Sequence, residues 1–201
     1  MNHITPSHYL DIRRKLFAIG YRSEWEWAQN VQAPPTAEHF AGEAIWVVCC
    51  SGFKEQAARV TRDAVGDALM NGRSATEVFP RSGKGRAIDR LWNERHANFQ
   101  EFTRLMASGA SAEEIISWVG TLPYVGGRIL RYHFAKNLGV DCAKPDRWLC
   151  RLTGIPEDSP VEQSFKAAMD LCRPLANATG DRIATVDLVL WRACNLGVLA
   201  P

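Results

Sequence analysis

One carboxylate, Asp146, stands in the run Lys144-Pro-Asp-Arg-Trp-Leu-Cys-Arg151, and Leu122, twenty-four residues before it, opens the run Leu122-Pro-Tyr-Val-Gly-Gly-Arg128. A fixed carboxylate can stabilise a cation that builds on a neighbouring carbon, or take a proton from an attacking water. The earlier run suits a different task. Pro123 removes a backbone donor and restricts Leu122, so a helix must end there. Gly126 and Gly127 permit positive φ and close backbone approach, and Leu122 and Val125 are spaced to plug the angle between two helices. The next helix is expected to begin at Gly127 or Arg128, with unsatisfied N–H groups and the positive dipole end facing out. Such a nest grips a phosphate without reading a base. A phosphate grip followed by a lone carboxylate points to chemistry on DNA. Each feature alone has a plainer reading: a corner between helices, and an ordinary acid in a first turn.

The elements that must position these residues read as helical almost throughout. Thr5-Pro6 starts a helix through Ala18, and Thr36 starts another with an apolar stripe at Phe40, Ala44, Val47 and Val48. Further helices are expected over Lys54–Met70, Arg86–Met106, Arg128–Leu138, Pro145–Leu152, Val161–Ala176 and Thr185–Leu196. Ser111-Ala-Glu-Glu114 is a capping-box pattern for a short helix through Val119. Alternating strand patterns are almost absent, which predicts an all-α fold. The expected organisation is two helical lobes with a cleft between them. Residues 1–35 and 153–201 would form a terminal lobe, and 36–152 a central lobe carrying the hairpin at 111–138. Ser82-Gly-Lys-Gly85 lacks the spacing of a nucleotide-binding loop and reads as an exposed connector before a helix.

Composition narrows the classes. The 201 residues are 46% hydrophobic with seven tryptophans, which a folded globule explains and a disordered chain does not. A net charge of +2 does not announce nucleic acid, but residues 128–151 hold six Lys/Arg against two Asp, a local basic face. Six cysteines lack CxxC or any metal-ligand spacing, so no metal or iron–sulfur cluster is expected and the thiols read as reduced. The N-terminal residues do not form a secretion signal, and no apolar run is long enough to span a membrane. The expected location is cytoplasmic.

The ordered combination Leu122-Pro-Tyr-Val-Gly126 resembles the hairpin of the helix-hairpin-helix base-excision DNA glycosylases, over roughly residues 111–152. In that family the hairpin typically reads Leu-Pro-Gly-Val-Gly, and a catalytic aspartate follows its leucine by about two dozen residues at a helix start, often with an arginine five positions later. Asp146 and Arg151 stand at those positions, whereas Asp141 fits neither spacing. The resemblance implies that Asp146 is catalytic and that Leu122, Tyr124, Val125, Gly126, Gly127 and Arg128 form the DNA-binding hairpin, with a monovalent cation there as the one cofactor admitted. Bifunctional members carry a lysine at the seventh hairpin position, where this chain has Arg128. A guanidinium stays protonated and cannot form a Schiff base, so the resemblance implies a monofunctional enzyme. Tyr124 also replaces the family's middle glycine.

A glycosylase must flip its base out of the stack, fill the gap and hold the base. Phe53, in the turn Ser51-Gly-Phe-Lys54, is placed to act as a wedge, and Lys54 to meet a phosphate. Trp148, Trp46 or Trp118 could stack on the extruded base, although most tryptophans must serve the core. The base is open: alkylated purine, deaminated or mismatched pyrimidine, oxidised guanine, or a bulky modified pyrimidine, since the Lys-Pro-Asp-Arg-Trp-Leu form also resembles small relatives around phage DNA modification and defence. The rival readings are a non-catalytic DNA-binding module that uses the hairpin alone, and a helical protein–protein adaptor.

Overall fold

The computed structural model describes residues 4–79 and 83–201; Pro80, Arg81 and Ser82 of the Gly/Pro-rich connector, and Met1–His3 at the N-terminus, lie outside them. Among the described residues every regular element is helical: α1 (Pro6–Ala18), α2 (Arg22–Asn30), α3 (Ala37–Cys50), α4 (Glu55–Met70), α5 (Gly83–Asn93), α6 (Arg95–Ala107), α7 (Ala112–Val119), α8 (Leu130–Asn137), α9 (Arg147–Thr153), α10 (Val161–Thr179) and α11 (Ile183–Asn195), with a 3-10 turn at Ala75–Glu77. The starts follow local chemistry. Thr5 and Thr36 cap α1 and α3 by accepting the N–H groups of His8 and His39, and Ser111 with Glu114 completes the capping box of α7.

Two elements depart from the sequence pattern. Helix α2 lacks a side-chain cap and buries only Ala28, so neither a start signal nor an apolar stripe announces it. The expected single helix over Arg86–Met106 is two, broken at Glu94. There the Arg95 guanidinium lies 4.4 Å from the centre of the Trp92 ring and donates to the Trp92 carbonyl at 2.7 Å, engaging that acceptor from the side. Gly83, Lys84 and Gly85 belong to the first turn of α5, and Lys84 is buried rather than exposed.

The chain divides into two compact units, 33–138 and 1–32 with 139–201. In the first, α3 is the central helix, packed against α4, α5, α6 and α8, and buried on most of its circumference from Ala37 to Cys49. Phe40 anchors this core, with the rings of Phe134, Phe102, Trp118 and Phe99 at 5.2 to 6.4 Å. In the second, α11 is central, packed against α1, α2, α9 and α10 through Val186, Val189, Leu190 and Ala193. Tyr9 and Arg13 of α1 donate to the buried Asp181 carboxylate at 2.5 and 2.8 Å; burial, then the Asp181 bond, pushes the Tyr9 phenol far above its ordinary range.

The boundary at 138/139 precedes the aspartate segment, where the sequence pattern suggested 152/153. Residues 139–146 are tied to α10, α11 and the approach to α11. Arg182 donates to the Gly139 carbonyl at 2.6 Å, Asp141 accepts the Ala184 N–H at 2.9 Å, and the Ala143 N–H meets the Met169 sulfur at 3.3 Å. Asp141 is therefore a cap for α11. Asp146 belongs to the same unit as these partners.

All six cysteines are free thiols, and all but Cys50 are buried. Burial pushes the Cys49 and Cys194 thiols up to about 11, so both stay protonated and unreactive near neutral pH. At pH 8, Cys49 and Cys194 should resist a disulfide reagent in the native protein and react within minutes in guanidinium. Equal labelling rates in the two conditions would contradict the packing described.

Candidate active site and nucleic-acid interface

The hairpin joins α7 to α8 within the 33–138 unit. Leu122 and Val125 point inward and are buried, while Tyr124, Gly127 and Arg128 are exposed. The two glycines do not supply the left-handed residue. That conformation falls on Tyr124, at φ 64°, the one non-glycine residue with positive φ among those described. Gly126 is required for another reason: a Cβ there would stand 2.2 Å from the Gly120 carbonyl oxygen, where α7 ends. Gly127 meets only ordinary contacts. The turn is therefore set by a backbone-on-backbone approach between Gly126 and Gly120.

The turn's own N–H groups are not available for the expected anion nest. The N–H groups of Val125, Gly126 and Gly127 are used inside the turn, on the carbonyls of Pro123, Leu122 and Tyr124 at 2.7 to 3.2 Å. Helix α8 starts at Leu130 rather than at Gly127 or Arg128, although the Arg131 N–H reaches the Gly127 carbonyl at 3.4 Å. The N–H groups of Ile129 and Leu130 make no turn bond and lie at the positive end of α8. Arg131 folds its guanidinium toward Gly120, with a buried Nε that has no partner.

The same unit holds the wedge candidate. Gly52, at φ 76°, turns the chain after α3 and presents Phe53, which is 46% exposed. Phe53 is propped from below: its ring lies 6.4 Å from that of buried Phe79, and the Lys84 ammonium sits 4.4 Å from its centre while donating to the Ser51 carbonyl. Lys54 is exposed at the start of α4. Trp46 has the Arg59 and Arg62 guanidiniums each 5.6 Å from its ring centre, and Trp118 stacks on Phe102 within the core. Glu43 on α3 accepts from buried Asn137 at 2.8 Å; burial raises its carboxyl above the usual range.

Asp146 lies in the other unit, at the N-cap of α9. Its Oδ1 accepts the Trp148 and Leu149 N–H groups at 2.9 and 3.3 Å. Its Oδ2 lies 3.2 Å from the Lys144 ammonium. Trp148 sits between Arg147 and Arg151, whose guanidiniums are 5.0 and 5.2 Å from its ring centre, and Arg151 is paired with Glu157 at 2.8 Å. The sequence does not mark Lys144 as the partner of Asp146, because a lysine two residues before an aspartate carries no periodic signal for such a contact. Among the described residues no cluster of three or more His, Cys, Asp or Glu could hold a metal, and no helix is long and apolar enough to cross a membrane.

No protein-family model matches the chain, and no curated protein sequence matches it. Among solved structures it is similar to the 8-oxoguanine DNA glycosylase of Thermotoga maritima, with a TM-score of 0.65 over 92% of this chain and 93% of that one, at 16% identity. The fold is thus the all-α helix-hairpin-helix glycosylase fold.

Two stability experiments check this local account. Gly126→Ala should cost at least about 2 kcal/mol, because backbone must move to admit the methyl, whereas Tyr124→Gly should cost nothing, since it relieves a left-handed tyrosine worth about 1–2 kcal/mol. Equal effects in chemical denaturation would contradict the placement of the strain. Asp146→Ala and Asp146→Asn both strand the Lys144 ammonium, but the alanine variant should be less stable than the asparagine one by about 1 kcal/mol, because only the amide oxygen still accepts the two N–H groups. An asparagine variant as unstable as the alanine one would show that the cap is not the main local role.

Proposed function

We propose that the protein is a monofunctional DNA glycosylase, hydrolysing the N-glycosidic bond of a damaged or modified base flipped out of DNA. The observation that carries the reading is a single carboxylate, Asp146, oriented by the first N–H groups of α9 and spaced from a Leu-Pro-x-Val-Gly turn as in the glycosylases, in a chain with a glycosylase fold. Breaking the bond builds positive charge on the sugar. A carboxylate fixed on backbone dipoles pays little reorganisation when that charge appears, and it can orient the attacking water. The donors of Ile129 and Leu130, with exposed Arg128, would hold the phosphate backbone. Phe53, half exposed on a prop of Phe79 and Lys84, would fill the gap left by the base, with Lys54 on a neighbouring phosphate.

Arg128 in the place of the family's lysine supports water, not an amine, as nucleophile. Trp148 and Trp46 are the candidate base-stacking surfaces, and either would exchange an arginine for the base. The turn's carbonyl oxygens are hard, neutral donors that suit a monovalent cation, the one accessory ion the reading includes. The name of the Thermotoga protein makes 8-oxoguanine the first base to test. A second reading has one observation in its favour: both oxygens of Asp146 already have partners, as a purely structural cap would. That reading makes the protein a hairpin module that binds DNA and releases nothing.

Mass spectrometry separates the two. Incubation with duplexes carrying 8-oxoguanine, uracil, 3-methyladenine or a bulky modified pyrimidine should release free base from at least one; salt-sensitive binding with no base released would leave only the binding module. Borohydride should trap no covalent adduct, and an adduct would contradict water as nucleophile. Arg128→Ala should weaken binding on all sequences alike and lower the salt slope by about 1.

A further inference from the structure

The Asp146 carboxylate is held from two sides. Helix α9 fixes Oδ1, and Lys144 places Nζ 3.2 Å from Oδ2, the two side chains being only 17% and 13% exposed. The lysine is itself pinned. Its N–H donates to Oδ1 of the fully buried Asp187 at 3.2 Å, and its carbonyl accepts the Asp146 N–H at 2.8 Å. Its ammonium lies 5.4 Å from the centre of the Trp191 ring, and Pro145 locks φ between the paired residues. An ion pair this enclosed differs from a surface pair: removing one partner strands a charge that water does not fully solvate.

We propose that Lys144 is a positioning residue for base excision, fixing Oδ2 of Asp146 while α9 fixes Oδ1, so that the carboxylate meets the sugar in one orientation. The proposal rests on the reading of Asp146 as catalytic. Lys144 forms no bond to substrate and moves no proton in this role. Its ammonium stops the carboxylate from rotating about its terminal bond, and one remaining lone-pair direction of Oδ2 is left to face the sugar or its water. A lysine that met DNA directly would instead act on affinity, and a merely structural lysine would act on stability alone.

The test uses the duplex, among those carrying 8-oxoguanine, uracil or 3-methyladenine, from which the wild-type protein releases base fastest. Single-turnover release and duplex affinity are measured for wild type, Lys144→Met, Lys144→Arg, Asp146→Asn and the double variant Lys144→Met/Asp146→Asn. Lys144→Met should slow release about 10- to 100-fold, as expected for a misplaced catalytic group, with affinity within about threefold of wild type. Lys144→Arg, which keeps the charge, should recover most of the rate. The double variant should be no slower than Asp146→Asn, because Lys144 acts through that carboxylate. Release at the wild-type rate in Lys144→Met, a loss confined to affinity, or a further loss of the same factor in the Asp146→Asn background would each overturn the proposal. Where Lys144→Met does not fold by circular dichroism, Lys144→Gln takes its place under the same criteria. Asp146→Asn at the wild-type rate, or no release from any duplex, would instead sink the reading beneath it.

Discussion

The aspartate segment is organised by one interaction, the Asp146 carboxylate accepting the Trp148 and Leu149 N–H groups in the first turn of α9. It satisfies donors that the helix cannot satisfy itself, and it sets the direction in which a negative charge is presented. In the proposed glycosylase the same bonds would serve folding and chemistry. Around them the 139–146 segment is tied down at Gly139, Asp141, Ala143 and Lys144 by α10, α11 and Arg182, which leaves the carboxylate little freedom. A base that protrudes from DNA would meet a charge already in place.

The hairpin solves a different problem with the same economy of means. Its geometry is fixed by the approach of Gly126 to the Gly120 carbonyl, and by a tyrosine held in a left-handed conformation. The turn consumes the N–H groups of Val125, Gly126 and Gly127, whereas those of Ile129 and Leu130 make no turn bond. Exposed Tyr124, 38% accessible, projects from the turn where a glycine would leave bare backbone.

Much of this was legible in the sequence, for physical reasons that differ from element to element. Caps at Thr5, Thr36 and Ser111 and the apolar stripe from Phe40 to Val48 mark helices because each reports a local requirement. The turn after Leu122 and the cap at Asp146 are legible for the same reason, because both are local. What escaped depends on contacts between distant residues. The prop under Phe53 needs Lys84 from another helix, and the boundary before Gly139 needs Arg182. Positive φ at Tyr124 escaped for the opposite reason: glycines nearby were the cheaper place to expect it.

The central claim is that the charge on Asp146, beyond its capping bonds, does the chemistry. Asp146→Asn removes that charge while the amide oxygen keeps the two acceptor bonds that cap α9. On a duplex from which the wild-type protein releases base, single-turnover release by the asparagine variant should fall at least about 100-fold, the scale of a lost general base or charge stabiliser, with duplex affinity unchanged. Release at the wild-type rate by a folded asparagine variant would contradict the account.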